Sequence, residues 1–288
     1  MQTLTDIKRL LEAHGLSPRK ALGQNFLIDH NLIRKLVDTS GVGAGDLVLE
    51  VGPGTGTLTE ELVERGCRVV ACELDPHLAA LLRNRFPPPT QPDAPGSVVL
   101  VEGDCLESKR AISREVVRAL GGRPFALVAN LPYNAATPLM LSLLCEHPEC
   151  RGLLVTIQRE VADRLLAKPG TKDFGPLAIV AQAVGDLHLI ATLPPECFWP
   201  RPDVTSAMVA VTRRTSPLTD NPRSLADFCQ GLFTQRRKQL GSILGRAGDW
   251  PEGISPTLRA EQLTVGQVIE LQRARAQFPP AASPDRVA

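Results

Sequence analysis

The chain has 288 residues, of which 43% are hydrophobic and 22% are charged, and its formal net charge is +1. Such proportions indicate one large globular domain, alone or with a small appendage, and ample apolar material for a core. No stretch approaches the roughly 20 apolar residues of a membrane span, and the amphipathic N-terminus lacks the apolar segment of a signal peptide. We therefore expect a cytoplasmic protein without a membrane partner.

The charges are unevenly distributed along the chain. Residues 46–107 hold 4 Lys/Arg against 11 Asp/Glu, and the remaining residues hold 28 against 20. This asymmetry indicates that one region accepts a cation or sugar hydroxyls, while another faces an anionic partner.

The first 158 residues begin with helical patterns and continue with alternating strands and helices. Helices are predicted at 4–14 and 29–40, and the ALGQNFLID segment between them is too irregular for either regular element. Apolar strands follow at 47–51, 68–74, 97–104, 125–130 and 152–158, separated by helical patterns. Continuous apolar strands that alternate with helices are typical of a parallel sheet covered on both faces.

The C-terminal half changes character. Segments 185–193 and 204–214 are predicted to form an antiparallel pair at the sheet edge, and residues 222–274 show helical patterns alone. We expect an α/β domain at 1–216 with a mostly parallel sheet, a small all-α domain at 217–278, and a disordered tail at 279–288.

A glycine-rich loop, EVGPGTG at 50–56, lies between a predicted strand and a helix. Its glycines, Gly52, Gly54 and Gly56, would let the backbone approach a ligand closely. Their G-x-G-x-G spacing differs from the dinucleotide pattern G-x-G-x-x-G. Glu50, just before the loop, would repel a pyrophosphate but would suit a cationic ligand.

Acidic residues end the next two strands. Glu73 is where a carboxylate can bind both hydroxyls of a ribose, and Asp104 is where one can accept from an adenine amine. A ligand with a ribose, an adenine and a positive charge but no phosphate is S-adenosylmethionine, and we expect it as the cofactor. The sequence contains no G-x-x-x-x-G-K-[ST] phosphate loop.

The fourth strand leads into Asn130-Leu131-Pro132-Tyr133, which holds the only tyrosine of the chain. An exocyclic base amine is a poor nucleophile, so its methylation depends on orientation more than on a strong base. The Asn130 side-chain oxygen and a carbonyl of Leu131 or Pro132 could accept its two N–H groups. Tyr133 offers a flat face on which a flipped base could stack.

The order of these and further motifs resembles the small-subunit ribosomal RNA adenine dimethyltransferases, the KsgA type. The resemblance covers about residues 18–245 and rests on the segments GQNFL (23–27), EVGPGTG, ELD (73–75), EGD (102–104), NLPYN (130–134), QREV (158–161), FWPRPDVTS (198–206) and TQRRK (234–238). The sequence departs from the family pattern at Trp199 and in a long proline-rich loop at 87–96, neither of which we expect to affect the chemistry.

The resemblance implies a class I methyltransferase sheet, which is Rossmann-like, and specific site residues. It assigns Asn25, Leu27, Gly52, Gly54, Glu73, Asp104 and Asn130 to the cofactor. Asn130, Leu131, Pro132, Tyr133 and Phe198 are assigned to the target base, with Phe198 stacked opposite Tyr133. The implied activity is dimethylation of the N6 amines of adjacent adenines near the 3′ end of 16S rRNA, as part of small-subunit maturation.

Basic clusters indicate where the RNA would bind. Arg236, Arg237 and Lys238 lie together in the predicted helical domain, Arg19 and Lys20 precede GQNFL, and Lys109 and Arg110 follow the third strand. We expect them to contact phosphates of rRNA within a pre-assembled 30S-like particle, with the protein acting as a monomer.

Several alternatives remain open from the sequence. A large-subunit rRNA methylase of the macrolide-resistance type shares these motifs, and a non-catalytic assembly or transcription factor could keep the fold. A DNA adenine methyltransferase usually has a tetrapeptide that begins with Asp, and an NAD-linked oxidoreductase is disfavoured by the glycine spacing. The seven cysteines include no C-x-x-C pair, which favours reduced thiols over disulfides or a metal site.

Overall fold

The structure is a computed structural model and describes residues 1–19, 22–91, 94–246 and 249–277. The chain divides into two compact units. The first comprises Met1–Ala162 and Asp186–Arg213, and the second comprises Asp163–Gly185 and the chain from Arg214 onward.

The regular elements follow one another along both units. The strands are β1 (Phe26–Leu27), β2 (Leu47–Val51), β3 (Arg68–Glu73), β4 (Val98–Glu102), β5 (Leu106–Ser108), β6 (Ala111–Ile112), β7 (Phe125–Asn130), β8 (Cys150–Gln158), β9 (Gly185–Leu193), β10 (Phe198–Trp199) and β11 (Ser206–Arg213). The helices are α1 (Leu4–Ala13), α2 (His30–Ser40), α3 (Thr57–Glu64), α4 (Pro76–Arg85), α5 (Arg114–Leu120), α6 (Tyr133–Glu146), α7 (Arg159–Leu165), α8 (Pro176–Val184), α9 (Pro222–Thr234), α10 (Leu240–Leu244) and α11 (Val265–Gln277).

The central sheet has seven strands in the order β4-β3-β2-β7-β8-β11-β9. Strands β4, β3, β2, β7 and β8 are parallel neighbours, and β11 runs antiparallel to β8. The predicted α/β class, with a mostly parallel sheet and an antiparallel strand near one edge, is confirmed. Every residue of β2 is buried, as expected for a strand covered on both faces.

Local sequence explains where the helices beside the site begin. Thr3 caps α1 and forms a reciprocal capping box with Asp6. The side chain of Asp75 caps α4, whose first residue is Pro76. Both arrangements satisfy backbone N–H groups that have no partner inside the helix.

Two small ladders were not predicted. The short strands β1 and β10 pair antiparallel, with Phe26 opposite Trp199 and Leu27 opposite Phe198. Strands β5 and β6 form a hairpin. Strands of two or three residues show no periodicity in the sequence, so these pairings, one of them between distant parts of the chain, had no local signal.

The second unit is larger than the predicted all-α domain, because it also includes residues 163–185. Helix α8 lies in an apolar cluster with α9 and α11, in which Phe174 and Ile179 are buried together with Leu225 and Val268. The predicted boundary after residue 216 therefore misses an internal segment whose helix packs on the C-terminal helices. The tail predicted to be disordered, 279–288, lies outside the described residues.

No disulfide joins any of the seven cysteines, and five of them are buried. Within the described part of the chain, no helix has the length and apolarity that crossing a membrane requires.

Candidate active site

A cavity of about 420 Å³ opens at the carboxyl ends of the parallel strands in the first unit. The predicted residues that line it are Asn25, Leu27, Gly52, Gly54, Glu73, Asp104, Asn130, Leu131, Pro132 and Tyr133. The fold thus brings the glycine loop, the acidic strand ends and the NLPY segment to one place, which is the usual ligand edge of an open α/β sheet.

The glycine loop is held against two other parts of the wall. Gly54 has a φ of 61°, and a Cβ added there would lie 2.8 Å from Cε1 of Phe26. A Cβ on Gly52 would lie 3.0 Å from Cγ of Pro132. Only glycine fits at these positions, since larger residues would push away either the β1 segment or the NLPY segment.

Glu73 is positioned by the backbone around it. Its two carboxylate oxygens accept N–H groups from Gly54, at 3.0 Å, and from Asp75, at 2.9 Å. Burial raises the pKa of this carboxyl, while these backbone donors oppose the change. Each oxygen keeps a further lone pair, so the group can still accept hydroxyls from a ligand in the cavity.

Glu50 also lines the cavity and is 1% exposed. The Thr59 hydroxyl donates to its Oε2 at 2.7 Å. Burial, together with the charge of Glu73, raises the pKa of Glu50 to about 8, although the Thr59 bond opposes the shift. A cationic ligand would favour the ionised form of this buried group.

Asp104 is an exposed acid of the site. It lies just after β4, and its Oδ1 accepts the N–H of Leu106 at 2.9 Å. Asp104 lines the cavity and is exposed, so its carboxylate is accessible to a ligand.

Asn130, the last residue of β7, is tied to the N-terminal segment. Its side-chain Nδ2 donates to the carbonyl of Asn25 at 3.0 Å, and this bond leaves the Oδ1 acceptor for a ligand. The Pro132 carbonyl already accepts N–H groups from Ala135 and Ala136 in the first turn of α6. The Leu131 carbonyl accepts none from the described residues, so it is the better of the two predicted backbone acceptors.

Tyr133 begins α6 with its ring half-buried on the wall. Its hydroxyl is 2.8 Å from Oγ of Ser206, at the start of β11. Burial raises the pKa of this hydroxyl, and the Ser206 bond opposes the shift. The ring is therefore fixed at its far end, and its hydroxyl is engaged in the fold.

Phe198 is not where we expected it. Its side chain is 3% exposed and belongs to the apolar core cluster, and it is not among the residues that line the cavity. In the antiparallel ladder Phe198 lies opposite Leu27, a wall residue, and both side chains are buried in the same apolar cluster. In this structure it backs the wall and does not face Tyr133 across the cavity.

Trp199 lies closer to the site than we expected. Its ring stacks on Phe26, with centroids 6.2 Å apart, and Phe26 contacts the glycine loop. Leu74, 48% exposed on the wall, was also missed. The signal for Leu74 was an apolar residue directly after Glu73, at a strand end where polar residues predominate.

The predicted RNA-binding residues fall into two groups. Arg19 is paired with Asp75, at 3.6 Å, and Arg236 is bound to Glu261 and to the carbonyls of Thr171 and Lys172. Arg237 and Lys238 are exposed. Lys20 lies outside the described residues.

The residues on the wall fit a methyl donor better than a nucleotide phosphate. The acids are Glu50, Glu73, Asp104 and Glu107, and Lys109 is the one lysine or arginine among the described lining residues. Buried carboxylates beside the glycine loop suit a ribose and a sulfonium, whereas a pyrophosphate would be repelled.

Comparison with known proteins agrees with this chemistry. The ribosomal RNA adenine dimethylase profile matches residues 15–275. The chain belongs to this family. It is therefore an rRNA adenine methyltransferase that depends on S-adenosylmethionine, and the predicted family, activity and cofactor are confirmed.

A relative from Phenylobacterium zucineum, named ribosomal RNA small subunit methyltransferase A, is 39% identical and covers 99% of this chain and 98% of its own. Two solved structures have the same fold. A dimethyladenosine transferase from Plasmodium falciparum, 19% identical, covers 88% of this chain and 98% of its own, with a TM-score of 0.70. The 23S rRNA methyltransferase ErmE, 24% identical, covers 87% and 99%, with a TM-score of 0.63.

Among the described residues, no group of His, Cys, Asp and Glu has the arrangement of a metal site.

Proposed function

We propose that this methyltransferase dimethylates the N6 amines of adjacent adenines near the 3′ end of 16S rRNA. Its substrate would be a pre-assembled small-subunit particle in the cytoplasm, on which the protein acts as a monomer during subunit maturation. The small-subunit relative, similar over nearly the whole chain, supports this target. ErmE is 24% identical to this chain, and a likeness at this identity indicates a shared fold but not a shared RNA target.

The observation that carries the chemistry is the pair of acceptors at the end of β7. Asn130 and Leu131 line the same cavity as Glu73 and the glycine loop. They would accept the two N–H groups of the target amine and so direct its lone pair. Bound S-adenosylmethionine would supply an electrophilic methyl group. The chain then needs only to orient the amine and exclude water.

The remaining residues would hold the two ligands. Glu73 would accept the ribose hydroxyls and Asp104 an amine of the cofactor adenine, while the segment of Asn25 and Leu27 covers the cofactor. Tyr133 would stack on the flipped base. Phe198 would support this wall from behind, through its strand partner Leu27.

The second unit would bind RNA through Arg237 and Lys238, which are exposed. Arg236 would contribute indirectly, by fixing the 171–172 segment to Glu261. In the first unit, Arg19 and Lys20 precede the segment that covers the cofactor.

The test compares substrates directly. The protein is incubated with labelled S-adenosylmethionine and either unmethylated small-subunit particles, naked 16S rRNA, large-subunit rRNA or adenine-containing DNA. We expect label in the particles, mapped to adjacent adenines as dimethyladenine, and strongly reduced label after Asn130→Ala. Label confined to large-subunit rRNA would instead establish the macrolide-resistance type of activity, and no transfer to any nucleic acid would indicate a non-catalytic factor.

A further inference from the structure

The β5–β6 hairpin brings a lysine to the rim of the active-site cavity. Lys109 lies in the turn of this hairpin, between Ser108 and Arg110, and is one of the residues that line the cavity. The Ser142 hydroxyl donates to the Arg110 carbonyl at 3.2 Å, which joins the hairpin to α6. Since α6 begins at Tyr133, the turn is anchored to the helix that carries the base-binding end of the site.

Lys109 differs in charge from the other ionisable residues that line the cavity. Four carboxylates line the same cavity, and Lys109 is the sole lysine or arginine on its described wall. The nearest acid in sequence, Glu107, is 3.4 Å from the Arg114 guanidinium. Lys109 itself is exposed, and among the described residues its ammonium group has no hydrogen bond or ion pair.

An adenine that enters this cavity carries its phosphates to the rim. Acids on the wall, such as Asp104 and Glu107, would repel them, and the interaction between like charges is strong where water is partly excluded. A single ammonium group at the rim would offset this repulsion. Lysine acts as a compact point charge that binds phosphate without reading sequence.

We propose that Lys109 binds a backbone phosphate of the nucleotide whose adenine enters the cavity. It is thereby a positioning residue for the RNA and not a cofactor ligand. The inference rests on the proposed function and specifies how the same site holds its substrate. Arg110, which is not on the wall, is not required for this contact.

The experiment uses the full chain with small-subunit particles. Single-turnover methylation is measured against particle concentration at several salt concentrations for the wild type, Lys109→Met and Lys109→Arg. The matched control is Lys35→Met, which removes an exposed lysine of α2 that is not on the wall. We expect Lys109→Met to reduce the log–log salt slope by about one, Lys109→Arg to keep it, and Lys35→Met to leave it unchanged.

A second arm identifies the phosphate. Substrate RNA carrying an uncharged methylphosphonate immediately 5′ or 3′ of the target adenosine should bind more weakly to the wild type, at one of these positions. In Lys109→Met, the same replacement should cause no further loss of RNA affinity. Full additivity of the two changes at both positions would overturn the proposal, because the lysine and the phosphates would then act independently.

The remaining outcomes separate the inference from the function on which it rests. If the wild type methylates the particles and Lys109→Met has an unchanged slope, only the phosphate contact is wrong. Weaker binding of S-adenosylmethionine by Lys109→Met, measured by calorimetry, with an unchanged slope would make Lys109 a cofactor residue and also overturn it. If the wild type methylates no RNA, the proposed function is wrong, and the proposed role of Lys109 is wrong with it.

Discussion

The side-chain amide of Asn130 donates to the backbone carbonyl of Asn25 at 3.0 Å, and so joins two segments that both line the cavity. The proposed function gives this residue two tasks. Its nitrogen would hold the N-terminal segment in place, and its oxygen would accept an N–H group of the target amine.

Replacing Asn130 should therefore affect both binding and turnover. We expect Asn130→Ala to weaken cofactor affinity by about 0.5–1.5 kcal/mol, the value of one ordinary hydrogen bond, and to reduce single-turnover methyl transfer more than any Tyr133 variant. Calorimetry and rapid-quench kinetics measure the two effects separately. Asn31→Ala, at an exposed position in the first turn of α2, is the control. Unchanged turnover in Asn130→Ala would remove this residue from the mechanism.

Glu73 should be the strongest single determinant of cofactor binding. Its carboxylate is already oriented by Gly54 and Asp75. Hydrogen bonds to a charged group contribute about 1.5–3 kcal/mol. Glu73→Ala should therefore weaken the binding of S-adenosylmethionine by about that amount, as measured by calorimetry. The exposed Glu115→Ala variant should bind normally. Tight binding of NAD by the wild type, without binding of the methyl donor, would contradict this role.

The raised pKa of Glu50 predicts that both the stability of the fold and the binding of the cofactor depend on pH. In the folded protein the pKa of Glu50 is raised to about 8, from an ordinary value of 4.5. The folded state therefore binds more protons than the unfolded state between these values, and the free energy of unfolding should fall as pH rises through this range. Binding of a cationic cofactor favours the ionised form, so affinity should rise towards pH 8.

Glu50→Gln should remove both trends. Its free energy of unfolding and its affinity for S-adenosylmethionine should vary less between pH 5 and pH 8 than those of the wild type, as measured by denaturant titration and calorimetry. Glu64→Gln, an exposed change on α3, should behave like the wild type. If Glu50→Gln shows the full wild-type pH dependence, another group is responsible for it.

The sequence predicted the residues at the strand ends well, because apolar runs that end in Glu73, Asp104 and Asn130 are local patterns. The same order of motifs led to the family. The positions of Phe198 and Trp199 could not be predicted in this way. They depend on pairing with Phe26 and Leu27, a contact between distant segments that no local periodicity records.

Basic clusters show a second limit of sequence reasoning. Arg236 and Arg237 are adjacent and look equivalent in the sequence, but their structural surroundings differ. Arg236 is held by Glu261 and by the Thr171 carbonyl, the latter at 3.0 Å, whereas Arg237 is exposed. A pattern of charges does not reveal which guanidinium already has a partner inside the fold.

These two arginines should therefore respond differently to truncation. Arg236→Ala should lower the free energy of unfolding by about 0.5–1.5 kcal/mol, since it removes the donor of a partly exposed carboxylate and of an exposed carbonyl that water can hydrate. Arg237→Ala should leave stability unchanged and reduce the salt slope of RNA binding by about one. Denaturant unfolding and binding titrations over a range of salt concentrations measure both. An unchanged slope in Arg237→Ala combined with Lys238→Ala would mean that this cluster is only solvated.

Tyr133 provides the most direct test of how the base is held. Stacking on an aromatic ring contributes about 1–3 kcal/mol per base, and about 1.4 kcal/mol corresponds to tenfold in rate, so Tyr133→Ala should slow single-turnover transfer about ten- to a hundredfold. Tyr133→Phe keeps the ring but loses the bond to Ser206, at 2.8 Å. It should retain most activity and lose about 1 kcal/mol of stability. Ser206→Ala is the matched control and should reproduce the Phe variant in both measurements. If Tyr133→Ala turns over like the wild type, the ring is not a stacking platform for the base.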